Sequence, residues 1–417
     1  MISYDPKYKT LIEKVYDYKQ EHLFAYWKVL NPFEKKSFLE ELKEVSFVDL
    51  KKNYDLFKQR KKSLPSFSPP PFIPLPQTKL EKKNQEKARA KGLDYLSQKK
   101  VAAFMVAGGQ GTRLGFSGPK GLFPINSKTG ETLFHLHSKK ILNASEKIKI
   151  SIPWVIMTSP ANYKETILFF EKNNFFSLDS NKIFFFSQKM IPSLDLEGKL
   201  ILESQHSLAK NPDGHGGSLS ALASSGILDK LFDLGIETLS YFQVDNPLVE
   251  IIDPVFLGYH LEKKSSVSSK IVKKTDPKEK VGLLVEFDQK RIGVIEYSDL
   301  PPEKSELKNS QGDLLFSLAN IAIHLFSLKF IKKITDASQF KFPYHLAQKK
   351  IKGIKDGSLV EISALKFEKF IFDCFPLAER QVILETTRDK EFAPIKNLQG
   401  KDSLETAQKL LKKNLFL

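Results

Sequence analysis

The sequence predicts an α/β protein built on a mixed, mostly parallel sheet, with a helical layer ahead of it and a small α+β region behind. Three observations carry that expectation. Short apolar runs at 101–109, 153–157, 183–186, 239–244 and 281–287 alternate with helical or polar stretches, the pattern of strands joined by crossovers. Residues 1–62 place apolar side chains at helical spacing, as in Leu11, Val15 and Tyr18 and again in Phe38, Leu39 and Leu42. Beyond residue 330 the chain mixes short strand-like runs with a closing amphipathic stretch at 403–412.

At 417 residues the chain exceeds the roughly 250–300 at which one core stops growing, so more than one unit is expected. The linear reading divides it at 1–95, 96–329 and 330–417. Within the first part, LPSFSPPPFIPLP (64–76) is too rich in proline for a helix or a central strand. It should run extended as a linker pinned to the following domain, the alternative being a ligand for a proline-binding partner. A charged helix is expected over 79–98, leading into the buried strand VAAFMVAGG.

Composition narrows the class. Hydrophobic residues at 41% and charged residues at 27% fit a folded globular chain, not a disordered or membrane-embedded one. The single cysteine, Cys374, has no disulfide partner within the chain, which suits a reducing cytoplasm. The first twenty residues carry charges throughout, and no run of eighteen apolar residues follows, so neither an export signal nor a membrane span is expected. A net charge of +16 invites a nucleic-acid reading. The lysines are instead scattered as isolated pairs such as Lys99-Lys100 and Lys349-Lys350, the pattern of a solvated surface, and no nucleic-acid partner is expected.

The chemistry concentrates in VAGGQGTRLGFSGPKGLFPI, residues 106–125. A buried strand delivers the chain into a loop whose glycines, among them Gly108, Gly109 and Gly111, expose backbone N–H groups to an anion. The dinucleotide fingerprint fails, because after Gly109 and Gly111 the third glycine arrives one position late at Gly115. The P-loop fails as well, since Lys120 follows Pro119 and no Gly-Lys-Ser/Thr ending exists. What remains is a phosphate cradle flanked by two cations, Arg113 and Lys120.

GGQGTRLG followed by PKG resembles the nucleotide-binding loop of the eukaryotic-type UDP-sugar pyrophosphorylases, most closely their UDP-N-acetylhexosamine branch. Further matches follow in order: FSQKMIP (186–192), PDGHGG (212–217), VDNPL (244–248), KTDPKEKV (274–281), VIEYS (294–298), ANI (319–321), HLAQKKI (345–351), FEKFIF (367–372) and EFAPIKN (391–397). The resemblance implies a Rossmann-like nucleotide-diphospho-sugar transferase core of the GT-A kind. It also implies a cytoplasmic uridylyltransferase, monomeric or homodimeric, that converts UTP and a sugar 1-phosphate to a UDP-sugar and pyrophosphate.

Residue by residue, the resemblance assigns Arg113, Lys120 and Lys396 to the phosphates and Asp245 to Mg²⁺ or Mn²⁺. Ala107, Gly108, Gly109, Gly111, Thr112, Asn246 and Gly282 join the substrate site, with Gln188 and Gly214 as uracil readers. Glu296 and Asn320 fall to the sugar, with His215 near it. Local readings stay open beside these. Asp245-Asn246 after a strand is a turn or helix cap, Glu296 an exposed strand residue, Asn320 a cap for a helix over 321–326, and Lys396 a solvated lysine. No side-chain nucleophile is implied, because the attacking phosphate oxygen is already ionised.

Two departures bear on the sugar. Gly214-His215-Gly216 stands where the branch usually has Gly-Asn-Gly, and Ala319 stands where it usually has glycine, which should add a methyl beside the acetyl pocket. N-acetylglucosamine 1-phosphate is the expected acceptor, with glucose 1-phosphate or a broad sugar range as the alternative. A UDP-sugar-binding protein without turnover is disfavoured by the intact Arg113, Lys120, Asp245 and Lys396.

Overall fold

The computed structural model describes residues 2, 4–59, 64–126, 128–336 and 340–414; the expected end of the N-terminal helical segment, at 60–62, lies outside them. The chain forms two compact units from interleaved segments. The first comprises 1–64, 189–217 and 342–370, and the second 65–188, 218–341 and 371–417.

In the first unit, α1 (Lys9–Asp17), α2 (Pro32–Lys43) and α3 (Phe47–Lys58) follow the expected helical spacing. Start signals set α2, where Asn31 and Glu34 form a capping box and Pro32 occupies the first turn. The helices bury Tyr8, Phe38, Leu39 and Leu42 in one cluster with Leu194, Leu208 and Phe367. Phe367 comes from a hairpin of two eleven-residue strands, His345–Lys355 and Ser358–Glu368, longer than the short strands expected there. Its turn places Asp356 and Gly357 at positive φ, the Asp-Gly signature of a tight hairpin. Lys350 pairs with Glu361 across it at 3.6 Å, exposed on both sides.

The second unit holds a ten-stranded mixed sheet. Its parallel part is β1 (Val101–Val106), β2 (Trp154–Thr158), β3 (Ile183–Ser187) and β4 (Thr238–Gln243), in the order β3-β2-β1-β4. Each of these matches an apolar run read from the sequence. The other part comprises β5 (Val267–Lys273), β6 (Leu283–Phe287), β7 (Arg291–Ile295), β8 (Leu318–Ser327) and β9 (Gln381–Glu385). Antiparallel pairs join β4 to β8, β8 to β5 and β6, and β6 to β7, while β5 and β9 run parallel.

One expectation is corrected here: 321–326 is not a helix but the middle of β8. Ala319, Ile321, Ile323 and Leu325 all enter the core, a period of two that favours a strand. The proline segment runs extended as expected. Phe67–Ser68 pairs with β6, and Ile73 exchanges backbone hydrogen bonds with Ile383 and Glu385 at 2.8 and 2.9 Å.

The helix α4 (Lys79–Ser97), started by a Thr78–Glu81 capping box, covers the sheet with α5 (Leu133–Ile148), α6 (Tyr163–Lys172) and α7 (Pro254–Glu262). The expected closing helix is α8 (Leu404–Lys413), capped by Ser403. Where α4 and α7 cross, a Cβ on Gly92 would overlap the Pro254 carbonyl and one on Gly258 the Ala88 carbonyl. Two backbones therefore touch through paired glycines. Gly258→Ala should destabilise the protein by about 3 kcal/mol, because backbone cannot yield as a side chain can; urea denaturation checks this, and an unchanged midpoint would mean the helices slide apart freely.

Candidate active site

The parallel strands end in register. Val106 of β1 pairs with Gln243 of β4 and Met157 of β2, and Thr158 pairs with Ser187. The residues that follow, Ala107 after β1, Gln188 after β3 and Asp245 after β4, consequently share the carboxyl edge of the sheet, where open α/β sheets bind ligands. Ala107 continues the ladder with one more bond, donating to the Met157 carbonyl at 2.7 Å.

Beyond Ala107 the loop folds on itself. Gly111 N–H donates to the Gly118 carbonyl at 2.9 Å, Lys120 N–H to the Gly109 carbonyl at 3.0 Å, and Thr112–Leu114 makes one helical turn closed by Gly115 at φ 63°. Gly109 meets nothing within 4 Å of where a Cβ would stand, leaving that backbone open to a ligand. Gly108 is the opposite case: a Cβ there would collide with the Gln188 amide. Gln188 is itself 5% exposed, and its Oε1 has no hydrogen-bond partner among the described residues. Burying a carboxamide oxygen unpaired is unfavourable, so a ligand donor is the natural complement. Arg113 and Thr112 are exposed on the same loop, and Arg113 has no ion-pair partner among the described residues.

Lys120 Nζ lies 3.0 Å from Asp245 Oδ2, and both side chains are mostly buried. Burial alone would raise the Asp245 carboxyl; the ammonium groups of Lys120 and then Lys396 outweigh it and hold the group below its ordinary value. Lys396 reaches this neighbourhood because Ile395 N–H donates to the Asp245 carbonyl at 2.8 Å. Asn246, expected among the substrate-binding residues, has its amide committed to the same segment: Nδ2 donates to the Glu391 carbonyl at 2.7 Å and Oδ1 accepts from Ala393 N–H at 3.1 Å.

A second group forms where β6, β7 and β8 meet. The β6–β7 register places Gly282 opposite Glu296, and a Cβ on Gly282 would approach Glu296 Oε1 to 3.1 Å. Asn320 N–H donates to the Gly282 carbonyl at 2.9 Å, so Gly282, Glu296 and Asn320 lie together. β8 bulges beside them: Ala322 has φ 55°, and its N–H donates to Asn320 Oδ1 at 3.0 Å. Ala319 corrects an expectation. Its methyl is fully buried in the sheet core, not beside an acetyl pocket, because neighbouring strand residues face opposite sides.

Gly214 and His215 belong to the first unit. Gly214 has φ 84°, and a Cβ on it would stand 2.6 Å from the Lys369 carbonyl. The His215 ring stacks on Phe370 at 5.4 Å, with His345 on the same ring at 4.3 Å. Burial, against the opposing pull of Glu368, brings His215 down to about 4, so it is neutral at pH 7. Asp213 in the same loop is 1% exposed and pairs with Lys369 at 3.4 Å.

Several supporting residues escaped the sequence reading. Asn162 Nδ2 donates to the Ala107 carbonyl at 3.0 Å, Lys140 Nζ donates to the Pro247 and Val249 carbonyls at 2.5 and 2.9 Å, and His137 Nε2 bonds the Val244 carbonyl at 2.9 Å. Each steadies a backbone segment through a polar side chain that no local motif marks. Glu250, Asp253 and Glu391 bring carboxylate oxygens within 4.8 Å of one another, an arrangement able to hold a cation. Lys270 Nζ already stands 2.6 Å from both Asp253 and Glu391.

The family described as UTP--glucose-1-phosphate uridylyltransferase matches residues 43–414. The chain belongs to this family. It is therefore a nucleotidyltransferase acting on UTP and a sugar phosphate. The uridylyltransferase is 35% identical over 427 residues to UDP-N-acetylglucosamine diphosphorylase 2 of Arabidopsis thaliana, covering 97% of this chain and 83% of the relative. To a probable UDP-N-acetylglucosamine pyrophosphorylase of Schizosaccharomyces pombe it is 41% identical over 325 residues, 73% of this chain and 68% of the relative. Among solved structures, the uridine diphosphate N-acetylglucosamine pyrophosphorylase of Trypanosoma brucei in complex with inhibitor matches with TM-score 0.84 and 28% identity, covering 99% of this chain and 85% of that one. No described helix is long and apolar enough to cross a membrane.

His137 generates a pH prediction. Burial, reinforced by Lys140, lowers it to about 3 from an ordinary 6.5. Between those values the unfolded chain holds a proton that the folded chain does not, so stability is complete above pH 6.5 and falls with pH by about 1.4 kcal/mol per unit. By pH 5 this one group should remove roughly 2 kcal/mol. Urea denaturation of wild type and His137→Asn at pH 7 and 5 should show a shallower pH slope in the variant; equal slopes would refute it.

Proposed function

We propose that this uridylyltransferase joins UTP to N-acetylglucosamine 1-phosphate, giving the UDP-sugar and pyrophosphate, in the cytoplasm. The observation that carries the reading is the Lys120–Asp245 pair at the edge of the glycine loop, with the Lys396 segment bonded to the Asp245 backbone. Two fixed cations and one carboxylate beside open backbone N–H groups suit charge-stabilised phosphoryl transfer.

The sugar-phosphate oxygen attacks the α-phosphorus of UTP, and pyrophosphate departs. Arg113 and Lys120 neutralise the leaving phosphates, and Lys396 steadies the reacting ones. Gln188 reads uracil through its unpartnered Oε1, which suits the N3–H of the base. Glu296 and Asn320 take the sugar hydroxyls and the N-acetyl group, while Gly214 and His215 keep the substrate roles that the resemblance implies. Asn246 serves the site indirectly, by holding the Lys396 segment.

Asp245 suits Mg²⁺ or Mn²⁺. It is held ionised, it stands at a strand end, and Lys120 engages only Oδ2. Mg²⁺ is commonly bound by one or two carboxylates together with substrate phosphates, and when bound it neutralises phosphate charge. The Glu250–Asp253–Glu391 cluster suits it less, because Lys270 already compensates that charge.

The acceptor is argued from the relatives named for UDP-N-acetylglucosamine. With Ala319 absorbed into the core, His215 is the remaining departure that could broaden it toward glucose 1-phosphate. Pyrophosphate release from UTP with Mg²⁺ should be fastest with N-acetylglucosamine 1-phosphate when compared with its galactosamine counterpart and glucose 1-phosphate. A preference for glucose 1-phosphate would overturn the acceptor, and failure of every sugar phosphate in a wider panel to support release would overturn the activity. Lys120→Ala and Asp245→Asn should each lower kcat by roughly 100- to 1000-fold; wild-type rates in either would remove that residue from the mechanism.

A further inference from the structure

We infer that Glu391 and Lys270 are positioning residues for the reaction, acting through Lys396. The inference rests on the reading that Lys396 contacts the phosphates.

Lys396 sits on an irregular segment after β9, where regular secondary structure does not fix it. The segment is held to Asp245-Asn246 at three points: Ile395 N–H on the Asp245 carbonyl, and the Asn246 side chain bridging the Glu391 carbonyl and Ala393 N–H. Its upstream end is fastened by Glu391, whose side chain turns inward and is buried. Both Glu391 carboxylate oxygens accept from Lys270 Nζ at 2.6 Å, and Thr386 Oγ1 donates to Oε1 at 2.9 Å.

Lys270 is 1% exposed on β5, at the irregular step between Ser269 and Ile271 where β8 bulges. Its ammonium also meets Asp253 at 2.6 Å, the residue that caps α7 through Val255 N–H. One buried lysine therefore ties the Lys396 segment to a sheet strand and a helix cap. On the other side, Lys140 holds the Pro247 and Val249 carbonyls directly after Asp245-Asn246. Among the described residues no hydrogen bond or ion pair joins the clasp to the glycine loop, so its effect on catalysis must pass through the segment it holds. Charge pairing explains its durability: the Asp253 and Glu391 carboxylates face one ammonium in low dielectric, where a neutral partner would let them turn away.

The test is a double-mutant cycle between Glu391→Gln and Lys396→Ala in the full chain. Pyrophosphate release is read with UTP, Mg²⁺ and whichever sugar 1-phosphate the wild type turns over fastest. Glu391→Gln should lower kcat by roughly 10- to 100-fold with less than about a threefold change in KM for UTP, because misplacing a reacting group by a fraction of an ångström affects the transition state most. In the Lys396→Ala background the same substitution should have almost no further effect, the signature of two residues acting as a unit.

Full additivity would overturn the positioning role while leaving Lys396 in place. Wild-type kcat in Glu391→Gln alone would overturn it as well. A Lys396→Ala variant with unchanged kcat would instead overturn the phosphate role of Lys396, and Glu391 with it. Circular dichroism and thermal melting accompany each variant. Should Glu391→Gln fail to fold, Thr386→Val removes one hydrogen bond to Glu391 at similar volume, and its smaller kcat loss must also vanish in the Lys396→Ala background.

Discussion

The alignment of strand ends in the parallel part of the sheet is the constraint on which the rest depends. Because β1, β2, β3 and β4 pair with Val106 level with Met157 and Gln243, and Thr158 level with Ser187, every connection leaves the sheet at the same edge. A one-residue slip of any strand would exchange its two faces and carry buried side chains such as Met105 and Ile156 to the other side. Burial thus fixes register, and register fixes where Gly108, Gln188 and Asp245 emerge. The glycine loop, the buried Gln188 amide and the Asp245 carboxylate meet as a consequence of core packing, without needing contacts selected for that purpose.

Charge takes over where the sheet ends. Lys120 and Lys396 hold Asp245 ionised despite burial, and further inside Lys270 stands 2.6 Å from both Asp253 and Glu391. Such buried pairs add little net stability compared with apolar packing, yet removing one partner leaves an uncompensated charge and costs roughly 3–5 kcal/mol. They are therefore better read as devices for place than as devices for stability. The segment 392–396 illustrates it: beyond the short helix Arg388–Glu391 it has no helix or strand to set its path, and backbone clips plus one inward carboxylate define it instead.

Much of this was legible in the sequence. The parallel strands announce themselves as continuous apolar runs because both of their faces are covered, and the glycine loop shows its failure to match either familiar phosphate motif. The strands that escaped are those whose residues do not look apolar. β5 reads VSSKIVK, and its Ser268, Ser269 and Lys270 are buried through partners supplied by distant segments, His260, His324 and Glu391 among them. No local window contains those partners. β8 was misread for a different reason: a short run such as NIAIHLF fits either period, and only the covering core decides between them. The two units likewise interleave segments that a linear reading assigns to successive domains, because contact, not chain order, defines them.

The same logic bears on which departures from the family can alter substrate choice. A glycine replaced by alanine beside a pocket should matter by about 1–3 kcal/mol, enough to redirect specificity. Ala319 does not act there, since strand alternation turns its methyl into the core while Asn320 keeps the opposite face. His215 is different in kind. It sits on a loop whose backbone is set by Gly214 at positive φ and whose ring is stacked on Phe370, so its orientation is fixed and its charge is absent at neutral pH. A fixed, neutral ring in place of an amide changes shape and hydrogen bonding without adding charge. In the sugar role proposed for it, such a ring would narrow or widen the choice of a neutral sugar while leaving untouched the charge balance on which phosphoryl transfer depends.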